Sequence, residues 1–245
     1  MKILLAPAET KLEGGENPPL CKNNFSFEPL YKYRLEVVNH YERFLASNTK
    51  EQLSKWFGLK NINDVEKYSN TILTKSTMKA IQRYTGVAFD ALDYNSLDKS
   101  TKSYIDENVI IFSNLFGVLK ASDFIPDYKY KQGAKLLDID VEKFYKKNLK
   151  SFLDEYLGDE VLDLRAGYYD KYYKPSAPTI TYKFLKDGKV VSHWAKYYRG
   201  KLLQIIAKNN IQNFAQLMNL EIPNLKLVEI QEKKNIKILI MEILE

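Results

Sequence analysis

The 245-residue chain has one cysteine, Cys21, and two histidines, His40 and His193. A lone thiol rules out an intramolecular disulfide, which suits a reducing cytoplasm. One cysteine and two distant histidines cannot assemble a structural zinc site. No Asp/Glu spacing argues for a carboxylate metal site, so neither metal nor cofactor is expected. Apolar runs all fall short of the roughly 18 residues that a membrane-spanning helix needs. The opening MKILLAPAET is too brief for a signal peptide and reads as a first buried strand. G-x-S-x-G and G-x-G-x-x-G are missing, Gly14 and Gly15 lack the rest of a P-loop, and Cys21 has no histidine nearby. Repeats, low-complexity tracts and Pro/Gly/Ser-rich linkers are also absent, so residues 1–245 are expected to form one domain.

Positive charge is present, and it has a location. The formal net charge is +6. Residues 183–210 hold seven basic side chains, Lys183, Lys186, Lys189, Lys196, Arg199, Lys201 and Lys208, against one acid, Asp187. That surplus equals the excess of the whole chain and is compatible with an anionic partner, with a soluble lysine-rich surface as the equal alternative.

Hydrophobic patterning predicts a mixed α and β fold. Buried strands are expected at KILLAPA, at Val109 to Ser113 and at EVLDLRAG, each followed by small residues. Helical spacing covers 29–48, 49–57, 61–68, 70–83, 95–107, 140–157, 195–209 and 213–219. Thr49 followed by Gln52 forms a capping-box signal. DYKYKQGAKL reads as extended, and hairpins are expected at Asp187–Gly188 and around 233–235. Strand ends followed by small residues are where such sheets expose groups to ligands.

SHWAKYYRGKLLQIIAKNN, residues 192–210, is the most informative stretch. In helical geometry Tyr198, Leu202, Ile205 and Ile206 form a core stripe. Lys196 and Arg199 are neighbours on another flank, with Gly200 beside them and Lys201 following. A glycine inside a helix costs about 1 kcal/mol relative to alanine. Close approach of another backbone, or of a phosphate, would offset that cost. The alternatives are a solvated basic face and an anion-binding surface.

A second candidate lies at 49–68, where Phe57–Gly58–Leu59 joins two short amphipathic segments in the manner of a helix-hairpin-helix. Such an element offers backbone N–H groups to a DNA phosphate, with Lys55 and Lys60 adding charge. The alternative is an ordinary helix C-cap glycine. Acid–base chemistry has candidates in Glu9, Tyr84, Asp123, Asp163 and Arg165, all near expected element ends.

Several segments together resemble the YaaA family of bacterial peroxide stress response proteins. LLAPAET looks like that family's first strand and its Ser-Pro-Ala-Lys-Thr turn. YTGVAFDAL is similar to its Tyr-Thr-Gly segment, NLFGVLKASDFIPDYKYKQG to its Leu-Tyr-Gly-Val-Leu-Arg-Pro-x-Asp stretch, and WAKYYRG to its Ala-Lys-x-x-Arg-Gly. LDLRAGYYDKYYKP resembles the form seen in a divergent branch. Tyr84, Gly86, Gly117, Asp123, Lys196, Arg199 and Gly200 match. Glu9 stands where the family usually has Lys, Lys120 and Ala121 replace an Arg-Pro pair, and Arg165 and Gly167 depart from Asn-Leu-Ala-Ser.

The resemblance implies a single-domain α+β fold of mixed sheet and helices, described as cantaloupe-like. It also implies a positively charged cleft, a helix-hairpin-helix and non-specific binding of double-stranded DNA that limits oxidative damage. No settled catalytic activity comes with it. Lys196, Arg199, Gly200, Lys201, Gly58, Lys55 and Lys60 are then the expected DNA or phosphate contacts. Two other readings remain open at this point. One is an enzyme acting on a nucleotide or small phosphorylated ligand in the same cleft. The other is a protein-interaction module using a tyrosine-rich surface.

Overall fold

A computed structural model describes residues 1–136 and 138–244. The chain begins with β1 (Lys2–Leu5), then α1 (Tyr31–Ser47), α2 (Lys50–Phe57) and α3 (Val65–Ser69). There follow β2 (Thr77–Lys79), α4 (Ala80–Arg83), α5 (Val87–Leu92) and α6 (Lys99–Asn108). Next come β3 (Val109–Ser113), β4 (Gly117–Lys120), β5 (Phe124–Pro126), α7 (Val141–Tyr156) and β6 (Val161–Asp163). The last third holds β7 (Thr179–Lys186), β8 (Lys189–Val190), α8 (His193–Lys208), α9 (Phe214–Met218), β9 (Leu225–Lys233) and β10 (Ile236–Ile243).

The main sheet runs in the order β4-β3-β1-β6-β7-β10-β9, with β8 paired to β7. Strands β3, β1, β6, β7 and β10 are mutually parallel, while β4, β8 and β9 are antiparallel to their neighbours. Every residue of β3 is buried, as an unbroken apolar run in a covered parallel sheet requires. The chain leaves β1 for β3 on one side and later crosses to β6 on the other. The ends of β1 and β6 therefore flank the point where strand order reverses, where open α/β sheets leave a crevice.

Two expectations change. Residues 70–83 do not form one helix: Thr77 to Lys79 pair with β5, and only Ala80–Arg83 complete a helical turn. Thr77 is held by backbone bonds in both directions with Asn17, and its hydroxyl donates to the Pro18 carbonyl at 2.8 Å. Extended partners from distant chain outbid local helical spacing here. DYKYKQGAKL, residues 127–136, forms no named strand. The capping box at Thr49 does form, with both reciprocal bonds in place. Asp187 and Gly188 both take positive φ in the tight β7–β8 turn.

Candidate functional site: a pocket at the strand crossover

Residues 10–12 leave β1 and run antiparallel to 83–85. The Thr85 N–H donates to the Thr10 carbonyl at 3.1 Å, and the Leu12 N–H to the Arg83 carbonyl at 2.9 Å. Arg83 is fully buried and fastens this loop by donating to the carbonyls of Leu12, Gly14, Ser76 and Ile125. Gly86 then takes a φ of 101° to start α5. The turn after β1, the start of α5, the chain after β6 and one flank of α8 together enclose a cavity of about 420 Å³.

Leu5, Phe89, Leu164 and Tyr169 supply apolar walls, Glu9, Lys196 and Arg199 are the charged groups of the lining, and Thr10, Thr85 and Gln132 add polar ones. Lys196 is exposed and Arg199 half-buried. Neither side chain makes a hydrogen bond or ion pair among the described residues. Burial pulls the Arg199 pKa below its ordinary value, and the charge of Asp163 opposes that shift. The Glu9 carboxylate accepts the Gln132 N–H at 3.3 Å. Gln132 also lines an adjoining depression with Lys55, Trp56 and Lys131. Lys55 and Lys131 are exposed and lack ion pairs among the described residues.

Gly200 is buried, and a Cβ there would lie 1.9 Å from the Ala88 carbonyl oxygen. Of the two close approaches that a helical glycine suggested, the structure shows the backbone one: α8 packs on α5 through Gly200. Lys201 donates to Gln204 at 2.8 Å, and Gln204 in turn bonds the Leu92 carbonyl, so Lys201 sits away from the pocket lining.

Gly58 is the left-handed C-cap of α2. Its N–H turns back to the Lys55 and Ser54 carbonyls, and the Leu59 N–H goes to Ser54 at 3.0 Å. The backbone donors of this turn are consumed in capping the helix. Lys60 stands exposed on the turn.

Of the acid–base candidates, Glu9 alone lines the pocket. Asp163 and Arg165 hold each other in a two-point pair at 2.9 and 2.7 Å. The buried Arg165 also donates to the Tyr169 and Tyr173 carbonyls and lies over the Phe112 ring. This pair shapes the wall after β6 from behind. The Tyr84 hydroxyl is buried 2.8 Å from that of Tyr128, and burial pushes its pKa up to about 12. Asp123 accepts the Ser26 N–H and hydroxyl and the Lys120 N–H, which makes it a loop staple.

Lys11 was not foreseen. Its ammonium lies 4.1 Å from the centre of the Tyr128 ring and 5.2 Å from that of Tyr84. Burial lowers its pKa to about 7, with Asp127 opposing. Nothing in local periodicity marks such a residue, because the tyrosines around it come from distant chain.

A sequence profile described as peroxide stress protein YaaA matches residues 1–231. An uncharacterized protein of Campylobacter jejuni is 47% identical across the full length of both chains. A UPF0246 protein of Corynebacterium glutamicum is 36% identical over 84% of this chain and 85% of its own. Another from Streptomyces coelicolor is 32% identical over 83% and 82%. A mixed α/β fold with a largely parallel sheet and a match over nearly the whole length lead to one assignment: the chain belongs to the YaaA peroxide stress protein family.

Proposed function

We propose that this protein holds double-stranded DNA by its phosphate backbone, without sequence preference, and so limits oxidative damage to it. Arg199 carries the reading: a half-buried guanidinium with no hydrogen bond or ion pair among the described residues, facing a pocket beside an equally unpaired Lys196. A desolvated cation without an acceptor gains most from an anion that brings its own oxygens, and a guanidinium fork matches phosphate. Lys55 and Lys131, reached across Gln132, extend the basic track toward the turn between α2 and α3. With the N–H groups of Gly58 and Leu59 spent on capping, that turn meets a phosphate through lysine side chains. The helix-hairpin-helix of the resemblance then acts here by charge.

Salt-dependent duplex binding tests the reading. Each phosphate neutralised contributes nearly one unit to the slope of log K against log salt. Lys196→Ala with Arg199→Ala is expected to reduce that slope by about two units. An unchanged slope removes these residues as contacts, and absence of duplex binding by the unaltered protein ends the proposal.

The pocket's modest volume and apolar walls favour a second reading, an enzyme for a small phosphorylated ligand. Against it, only Glu9 among the acid–base candidates reaches the cavity.

A further inference from the structure

A duplex cannot enter a cavity of about 420 Å³, whereas one nucleotide can. The cavity is also divided as a nucleotide is divided. Arg199 and Lys196 offer charge suited to a phosphate, while Phe89 and Tyr169, both nearly fully buried, offer aromatic surface in the lining. Base-on-aromatic contact is sequence-tolerant because every base has a π-face. Glu9 adds an acceptor suited to an exocyclic amino group.

The walls are preformed. Gly200 locks α8 against Ala88 of α5, and the Asp163–Arg165 pair fixes the chain after β6. Beyond Gln132, the depression with Lys55 and Lys131 is placed to hold the neighbouring backbone of a strand.

We propose that this pocket receives a single nucleotide, its phosphate on Arg199 and Lys196 and its base against Phe89 and Tyr169. The inference rests on the nucleic-acid reading of the surrounding surface, and the same chemistry fits a free nucleotide or one swung out of a duplex. In a protein that guards DNA, such a pocket would favour sites where pairing is already broken, since unstacking costs least there.

Two duplexes of equal length and charge, one fully paired and one with a single unpaired nucleotide, provide the first comparison. The unaltered protein is expected to bind the second about tenfold more tightly, a difference of about 1.4 kcal/mol. Ala166 is exposed on the pocket lining, so Ala166→Trp fills the space without disturbing the core. That variant is expected to lose the tenfold preference and bind the two duplexes alike, whatever share of duplex affinity it retains.

A deoxynucleoside monophosphate provides the second comparison. If it raises the melting temperature of the unaltered protein but not of Ala166→Trp, and the duplexes bind alike, the occupant is the free nucleotide. The inference is overturned if the two duplexes bind equally and the monophosphate shifts neither protein, or both by the same amount. Intact duplex binding in that case leaves the backbone-binding reading standing. Pocket-dependent monophosphate binding without any duplex binding removes that reading and keeps the nucleotide site.

Discussion

Lys11 illustrates how a single side chain can couple the fold to pH. Its ammonium is enclosed by the Tyr84 and Tyr128 rings, and among the described residues it donates only to the Ala8 and Glu9 carbonyls, each at 3.4 Å. The folded pKa is about 7, against about 10.4 for a lysine in an unfolded chain. Between those values the unfolded chain binds the extra proton, so stability rises with pH through that window. The slope approaches about 1.4 kcal/mol per pH unit, and below pH 7 this contribution is flat. Urea denaturation of the wild type and Lys11→Met from pH 6 to about 10 should show the wild type gaining on the variant only above about 7. Parallel curves would place the Lys11 ammonium in water.

Among the elements, α8 and α5 form the contact on which the pocket depends. Eight residues of α8 are buried: Ala195, Tyr198, Gly200, Leu202, Leu203, Gln204, Ile206 and Ala207. Burial is wider than the single stripe predicted, because α8 packs on α5 and α6 as well as β7. The Gly200–Ala88 contact brings backbone against backbone. Gly200→Ala forces those helices apart and should cost about 1–3 kcal/mol, as overpacking usually does. Ala88 and Arg199 both line the pocket, so the same change should weaken DNA binding under conditions where the variant is still folded. Denaturation and binding measured on one sample check both effects. A variant of wild-type stability would mean that the helices do not touch there.

For the molecule as a whole, the net charge of +6 matters less than its arrangement. Lys196 and Arg199 share a pocket, Lys55 and Lys131 share its neighbour, and Gln132 belongs to both. Lys50 and Lys67 are tied to Glu66 and Glu13, and Lys201 is bonded to Gln204. Lys55→Ala with Lys131→Ala is expected to lower the salt slope by a further two units or so when added to the Lys196/Arg199 pair. Lys201→Ala should leave it unchanged. Equal effects from all three sets would replace a defined track with diffuse attraction.

Local order was legible in the sequence where it depends on near neighbours. The Thr49–Gln52 capping box, the Asp187–Gly188 turn and the apolar run of β3 each follow from bonds or burial spanning a few residues. The family was legible too, since its motifs lie in order along the chain. Only tertiary structure decided which cations share a surface, that Gly200 meets Ala88 and not a ligand, and that Asp163 and Arg165 neutralise each other behind the pocket wall. Those outcomes rest on contacts between segments far apart in the chain, where the path of the sheet crossover, and not residue type, sets which groups meet.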